Sequence, residues 1–234
     1  MQLDRFLCKH ADYSRKTVLQ LLSQQQVKVD GQTIQHREFL VTQFSHIEVQ
    51  GKTIQRHTAR YYMLNKPAGF LSATTDPVHP TALTLLTGID TSDLHIAGRL
   101  DRATTGLLIL TNDGKWSRQL TEPKSVKAQK IPKVYFVETA YAISPTTAQR
   151  FAEGIYFKTE DTTTSPAQLE IICKKTSRLT IYEGRYHQVK RMFAAVGNRV
   201  VNLHREKMGK ISLDPTLKLG EFRALTLNEI DWIL

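Results

Sequence analysis

The chain has 234 residues, 41% of them hydrophobic, and a formal net charge of +10, which allows one large domain or two unequal ones around a real core. The charge favours a polyanionic partner, nucleic acid ahead of an acidic membrane surface. No apolar stretch approaches a membrane span, the N-terminus lacks the pattern of a signal peptide, and Cys8 and Cys173 are far apart, so a cytoplasmic protein with reduced thiols is expected.

Leu3, Phe6 and Leu7 form one apolar face of a short helix. Ser14 is placed to cap a second helix, with Val18, Leu19, Leu21 and Leu22 on one side. Val27-Lys28-Val29 alternates as a strand, Asp30-Gly31 supplies a tight turn before Thr33-Ile34, and a third strand runs from Ser45 to Val49. Arg5, Lys9, Arg15, Lys16 and Lys28 surround the helices with positive charge. Two helices, then Val-Lys-Val-Asp-Gly leading into short strands, resemble the S4 RNA-binding module. That resemblance implies an RNA-binding face made of those five cations on a domain spanning residues 1–57. A solvated basic surface is the plain alternative. Residues 52–60 show no clear periodicity and read as a hinge linker that itself touches phosphate.

From Arg60 the pattern changes. Tyr61 to Gly69 reads as a strand ending in a Pro-Gly turn, Pro80 to Leu86 as a short helix, and Leu107 to Thr111 as a buried strand. A helix follows from Lys115 to Leu120, ending near Pro123, then a strand over Lys133–Thr139. Ser144-Pro145 starts a helix running to Gly154. Strands are expected over Ala167–Cys173 and Leu179–Tyr182, and a helix from Tyr186 to Val196 stops at Gly197. Further strands are expected at Val200–His204, Ile211–Leu213 and Ala224–Leu225. Strands outnumber helices without regular alternation, so residues 58–234 are expected to form an α+β domain with a mixed, mostly antiparallel sheet flanked by helices.

Gly98-Arg99-Leu100-Asp101-Arg102-Ala103-Thr104-Thr105-Gly106 places one carboxylate between two arginines, just before the buried strand. Arg99 and Arg102 would hold Asp101 ionised if their side chains lie close. A surface turn with an exposed ion pair is the alternative. Lys133-Val134-Tyr135 puts a cation and an aromatic ring on one strand face, and a tyrosine so placed stacks on a splayed-out base or simply packs in a sheet. Glu183 to Phe193 is dense in Arg185, His187, Lys190 and Arg191 at a helix start, which suits phosphate or a buried carboxylate. His204-Arg205-Glu206-Lys207-Met208-Gly209 leads from a strand into a turn as a further segment that carries chemistry, with plain surface charge as the alternative. No Walker, dinucleotide or HExxH motif is present and no histidine cluster has ligand spacing, so no cofactor or metal is expected.

Together these segments resemble the pseudouridine synthases, in particular their ribosomal small-subunit branch. The resemblance rests on Gly98 to Gly114, Lys133 to Tyr135, Glu183 to Phe193, and Asn65-Lys66-Pro67-Ala68-Gly69, and with the S4-like module it spans nearly the whole chain. It implies that Asp101 is the catalytic aspartate, Tyr135 stacks on a flipped uracil, and Met208 packs beneath that base. A basic residue pairs with Asp101. Many relatives have Arg where this chain has Lys190, followed by Arg191, so either of the two is a candidate partner. Arg99, Arg102 and Arg185 then become RNA contacts that hold the flipped nucleotide. The implied substrate is one uridine of 16S ribosomal RNA, free or in a small-subunit assembly intermediate, at the position numbered 516 in that RNA. The implied reaction is an isomerisation by a monomer, without cofactor. A synthase for 23S RNA, a non-catalytic RNA-binding assembly protein and a nucleobase glycosylase are the rival readings.

Overall fold

A computed structural model describes residues 1–121 and 130–233. The chain divides into two compact units, Met1–Ala59 and Arg60–Leu234. No helix among the described residues is long and apolar enough to cross a membrane.

In the first unit, helix α1 (Leu3–His10) buries Leu3, Phe6 and Leu7, at the spacing that puts side chains on one helical face. Asp4 in its first turn and Lys9 and His10 in its last complement the helix dipole. Helix α2 (Arg15–Ser23) starts where Ser14 Oγ accepts the Thr17 N–H at 3.1 Å, as expected of a cap. Strands β1 (Val27–Val29), β2 (Gln32–Thr33), β3 (Ile47–Val49) and β4 (Lys52–Gln55) form an antiparallel sheet in the order β2-β1-β3-β4. Strand β4 corrects the linker expected from residue 52 onward. Gln50 and Gly51 both have positive φ, the geometry of a tight hairpin turn, and fold the chain back on β3. Ile54 packs against the core, and one apolar residue among polar neighbours was too little signal for a period.

The second unit is a sheet with helices on both faces. In chain order its elements are β5 (Tyr61–Lys66), a 3-10 turn at Ala82–Leu85, β6 (His95–Ala97), β7 (Thr105–Thr111), α3 (Gly114–Thr121), β8 (Lys133–Thr139), α4 (Thr147–Glu153), β9 (Tyr156–Phe157) and β10 (Thr162–Thr163). They continue with β11 (Gln168–Cys173), β12 (Thr176–Ile181), α5 (Gln188–Ala195), β13 (Val200–Met208), β14 (Ile211–Ser212), β15 (Phe222–Ala224) and α6 (Leu227–Asp231). The main path through the sheet is β11-β12-β8-β13-β7-β5-β15, with β14 on β13 and β6 on β7. The β13–β7 pair is parallel and the other pairs of this sheet are antiparallel, so the mixed, mostly antiparallel expectation is borne out. The predicted end of α3 near Pro123 lies outside the described residues.

Strand β7 reads as an unbroken apolar run because both its faces are covered. Leu108 and Leu110 point into a core shared with Phe151 of α4 and Val189, Met192 and Phe193 of α5. Leu107 and Ile109 point into a second core with Trp116 and Leu120 of α3. All four β7 residues have no exposed surface, and burying each contributes roughly 1.5–3 kcal/mol relative to exposure. Trp116 Nε1–H also donates to the Ile230 carbonyl at 3.0 Å, fastening α3 to α6. Helix α6 went unpredicted although Thr226 and Glu229 form a reciprocal capping box.

Strand β13 is longer than the expected Val200–His204 and runs on to Met208. Its alternate side chains are polar on a half-exposed face, which disguises a strand as a charged turn. Gly106 lies against it at φ +102°, and a Cβ there would sit 2.4 Å from the Arg205 carbonyl oxygen. Gly106→Ala is therefore expected to destabilise the protein by about 2–4 kcal/mol. Urea denaturation followed by circular dichroism checks this, and an unchanged midpoint would contradict the close approach.

Candidate active site

The loop from Gly98 to Thr104, between β6 and β7, carries Asp101. Its main chain is held from several sides. Lys66, the last residue of β5, is fully buried, and its Nζ donates to the carbonyls of Thr104 at 2.8 Å, Pro67 at 3.0 Å, and Asp101 and Arg102 at 3.3 Å. Ser72 Oγ donates to the Leu100 carbonyl at 2.8 Å and accepts the Leu100 N–H at 3.0 Å. The Gly69 N–H donates to the Arg102 carbonyl at 2.8 Å. From β13, Arg205 Nε donates to the Leu107 carbonyl at 2.8 Å and Nη1 to that of Arg99 at 3.4 Å.

The Asp101 side chain is spent on none of this. It is 29% exposed, and its Oδ2 faces His187 Nε2 at 3.6 Å and Lys190 Nζ at 3.8 Å. His187 stands just before α5 and Lys190 in its first turn, and the N-terminal end of that helix adds favourable potential for a carboxylate. Between the two candidate partners, Lys190 is the one aimed at Asp101. Arg191 turns the other way: it pairs with Glu160, donates to Thr159 Oγ1 at 3.0 Å and lies 3.7 Å over the Phe157 ring. Arg185 also meets Glu160, at 3.1 Å, together with Glu183 at 3.4 Å.

Arg99 and Arg102 do not hold Asp101 as their neighbourhood in sequence suggested. Both are exposed, and Arg102 Nε donates to the Gly69 carbonyl at 3.1 Å. For Arg205 the alternative of plain surface charge is excluded: it is 2% exposed, with Nη2 buried and unpartnered among the described residues. It stands directly across from Tyr135, and Lys133 lies two residues from Tyr135 on the same face of β8. Tyr135 is 8% exposed, so it forms a wall with only part of its ring accessible. Met208 is fully buried under Gly98, its Cε 3.2 Å from where a Cβ on Gly98 would sit, and it belongs to the core with Trp116. It props the corner from behind and is not brought to the carboxylate cluster.

Burial pulls Lys66 down to about 8, with Asp101 opposing the shift and Arg205 adding to it. Lys133 is also pulled down to about 8 by burial, with Arg205 adding and Glu183 opposing. Among the described residues the Lys133 ammonium makes no hydrogen bond or ion pair. The site therefore joins an available carboxylate to buried cationic donors around an aromatic ring, a set able to attack an electrophilic carbon and stabilise negative charge on a ring leaving group.

Comparison with known proteins identifies the family. The family model described as RNA pseudouridylate synthase matches residues 60–195. The chain is 49% identical to the ribosomal small subunit pseudouridine synthase A of Pseudomonas aeruginosa, covering 98% of this chain and 99% of that protein. The chain belongs to the RNA pseudouridylate synthase family. It is also 44% identical to the ribosomal small subunit pseudouridine synthase A of Escherichia coli K12, over 98% of each chain. A crystal structure of a pseudouridylate synthase superposes with a TM-score of 0.71 at 38% identity over 100% of both chains. The family read from the sequence motifs is thus borne out, and with it the isomerase class.

For this pseudouridylate synthase, the cations of the first unit form a separate feature. Arg5, Lys9, Arg15, Lys16 and Lys28 are all exposed. Arg5, Lys9 and Arg15 line an open depression with Asp4, Cys8 and Tyr13.

The two depressed lysines set a pH dependence. Between about pH 8 and 10 the unfolded chain still holds protons, at an ordinary value of 10.5, that folded Lys66 and Lys133 have released, so stability rises with pH across that window. Lys133→Met is expected to remove about half of that slope and to leave the protein at least as stable as wild type at pH 7. Denaturant titrations at stepped pH check this, and an unchanged slope would contradict it.

Proposed function

We propose that this protein converts one uridine of small-subunit ribosomal RNA, at the position numbered 516 in that RNA, to pseudouridine, with Asp101 as its catalytic group. The observation that carries the reading is the Asp101 carboxylate, left facing His187 and Lys190 while the main chain of its loop is pinned by Lys66, Ser72 and Arg205. The 16S-type substrate is supported by relatives named for the small subunit that match this chain from end to end.

In the reaction the bond between N1 and C1′ breaks, the uracil turns, and C5 bonds to C1′. The C5 proton is lost to solvent and N1 takes one up, so atoms balance and no net electrons move. Asp101 must be ionised to act as nucleophile or to accept a proton, and Lys190 Nζ lies 3.8 Å from its Oδ2 to orient it. Negative charge developing on the detached ring is stabilised by the Lys133 ammonium and by Nη2 of Arg205, neither of which has a partner among the described residues. The uridine must leave its stack, at a cost of a few kcal/mol. Full stacking on an aromatic side chain returns about 1–3 kcal/mol, and a ring as covered as Tyr135 returns less. Arg99 and Arg102, exposed beside Asp101, hold flanking phosphates. The five cations of the first unit supply a sequence-independent hold on the RNA, as an S4-like module would.

Tritium release from small-subunit precursor RNA labelled with 5-³H-uridine tests the assignment. Asp101→Asn keeps the shape of the side chain and is expected to lower release at least about a thousand-fold, while RNA affinity stays within about three-fold because phosphate contacts carry it. Equal release by wild type and Asp101→Asn would refute the role of Asp101.

A further inference from the structure

Tyr186 and His187 stand in the loop between β12 and α5, and their rings are stacked at 3.9 Å with an interplanar angle of 19°. His187 is held at φ +49°, a left-handed conformation uncommon for a side chain with a Cβ. It makes no side-chain cap to α5, so helix capping does not account for that backbone. What the conformation achieves is placement: His187 Nε2 lies 3.6 Å from Asp101 Oδ2, with Tyr186 against the imidazole.

Tyr186 is 74% exposed and belongs to neither core of its unit. Its hydroxyl makes no hydrogen bond among the described residues. Its main chain is anchored nonetheless, because the carbonyl accepts from Arg191 Nη1 at 3.1 Å, and Arg191 is itself fixed on Phe157 and Glu160. The result is a firmly mounted aromatic ring with one face on His187 and the other open.

We propose that Tyr186 is a stacking platform for the base next to the target uridine, with His187 as its backing ring. This inference rests on the reading above that the chain acts on ribosomal RNA. The imidazole presents its Nε2 edge to Asp101 and one face to Tyr186, so both groups meet the same ring and the open face of Tyr186 is mounted beside the reacting carboxylate. The target itself is at Asp101, and its neighbour in the strand is the base that reaches Tyr186. Stacking of this kind tolerates any base and adds binding energy without touching the reacting atoms.

The test compares wild type, Tyr186→Ala and Tyr186→Phe in steady-state tritium release from a small-subunit ribosomal RNA transcript. Tyr186→Ala is expected to raise KM roughly ten-fold with a smaller effect on kcat, the signature of lost uniform binding, and Tyr186→Phe to restore KM. A transcript with an abasic nucleotide beside the target is expected to erase the difference between wild type and Tyr186→Ala. An unchanged KM in Tyr186→Ala, or a difference that persists on the abasic transcript, overturns the platform while leaving the substrate reading intact. Absence of release by wild type overturns the substrate reading and the platform with it.

Discussion

One buried ammonium organises the site. Lys66 ends β5 inside the protein and donates to the carbonyls of Asp101, Arg102 and Thr104. A buried ammonium without acceptors is strongly disfavoured, so the loop must supply its carbonyls, and in doing so it takes one shape. That constraint transmits the rigidity of the central sheet to Asp101. Arg205 repeats it from β13, on the other side of β7, and Gly106 lets β7 and β13 come close enough for Arg205 to reach the Leu107 carbonyl. The main chain is thereby saturated while the carboxylate stays available. A catalytic group needs this combination, because orientation must be settled before the substrate arrives.

The charges around the carboxylate divide their work by distance. Lys190 and His187 face Asp101, whereas Arg185 and Arg191 are engaged by Glu160 on the other side of α5. Partly exposed ion pairs contribute only about 0–1 kcal/mol to stability. Their value here is orientation and electrostatic bias, since Arg191 braces the segment from which His187 and Lys190 project. The deeper cations, Lys66, Lys133 and Arg205, are costly to bury. Lys66 is retained by the loop carbonyls it binds, and the proposed reaction gives Lys133 and Arg205 a role as donors to a ring anion.

Much of this was legible in the sequence, because the decisive residues lie in short segments with strong local patterns. The apolar run after Gly106 marked a buried strand, and the acid before it marked the loop. The clustered cations at the start of α5 contained the partner of Asp101. What could not be read was which way each side chain points. Lys190 and Arg191 are adjacent, and only the helix start places one toward Asp101 and the other toward Glu160. Arg205 could pass for a surface charge because its neighbours on β13 alternate with it and face outward, and the register that sets it opposite Tyr135 is a long-range pairing. Tyr186 and His187 were read as the first turn of α5, but the positive φ of His187 delays the helix to Gln188. Met208, expected beneath the target base, belongs to the core with Trp116 and stands behind Gly98, a placement set by long-range packing.

The central claim is that Asp101 modifies a single uridine of small-subunit ribosomal RNA. The most direct measurement maps pseudouridines by carbodiimide labelling and primer extension in RNA from cells lacking this protein, complemented with wild type or with Asp101→Asn. The account predicts one stop in small-subunit RNA that is absent without the protein, returns with wild type and stays absent with Asp101→Asn. A missing stop in large-subunit RNA, or recovery of the small-subunit stop by Asp101→Asn, would contradict it.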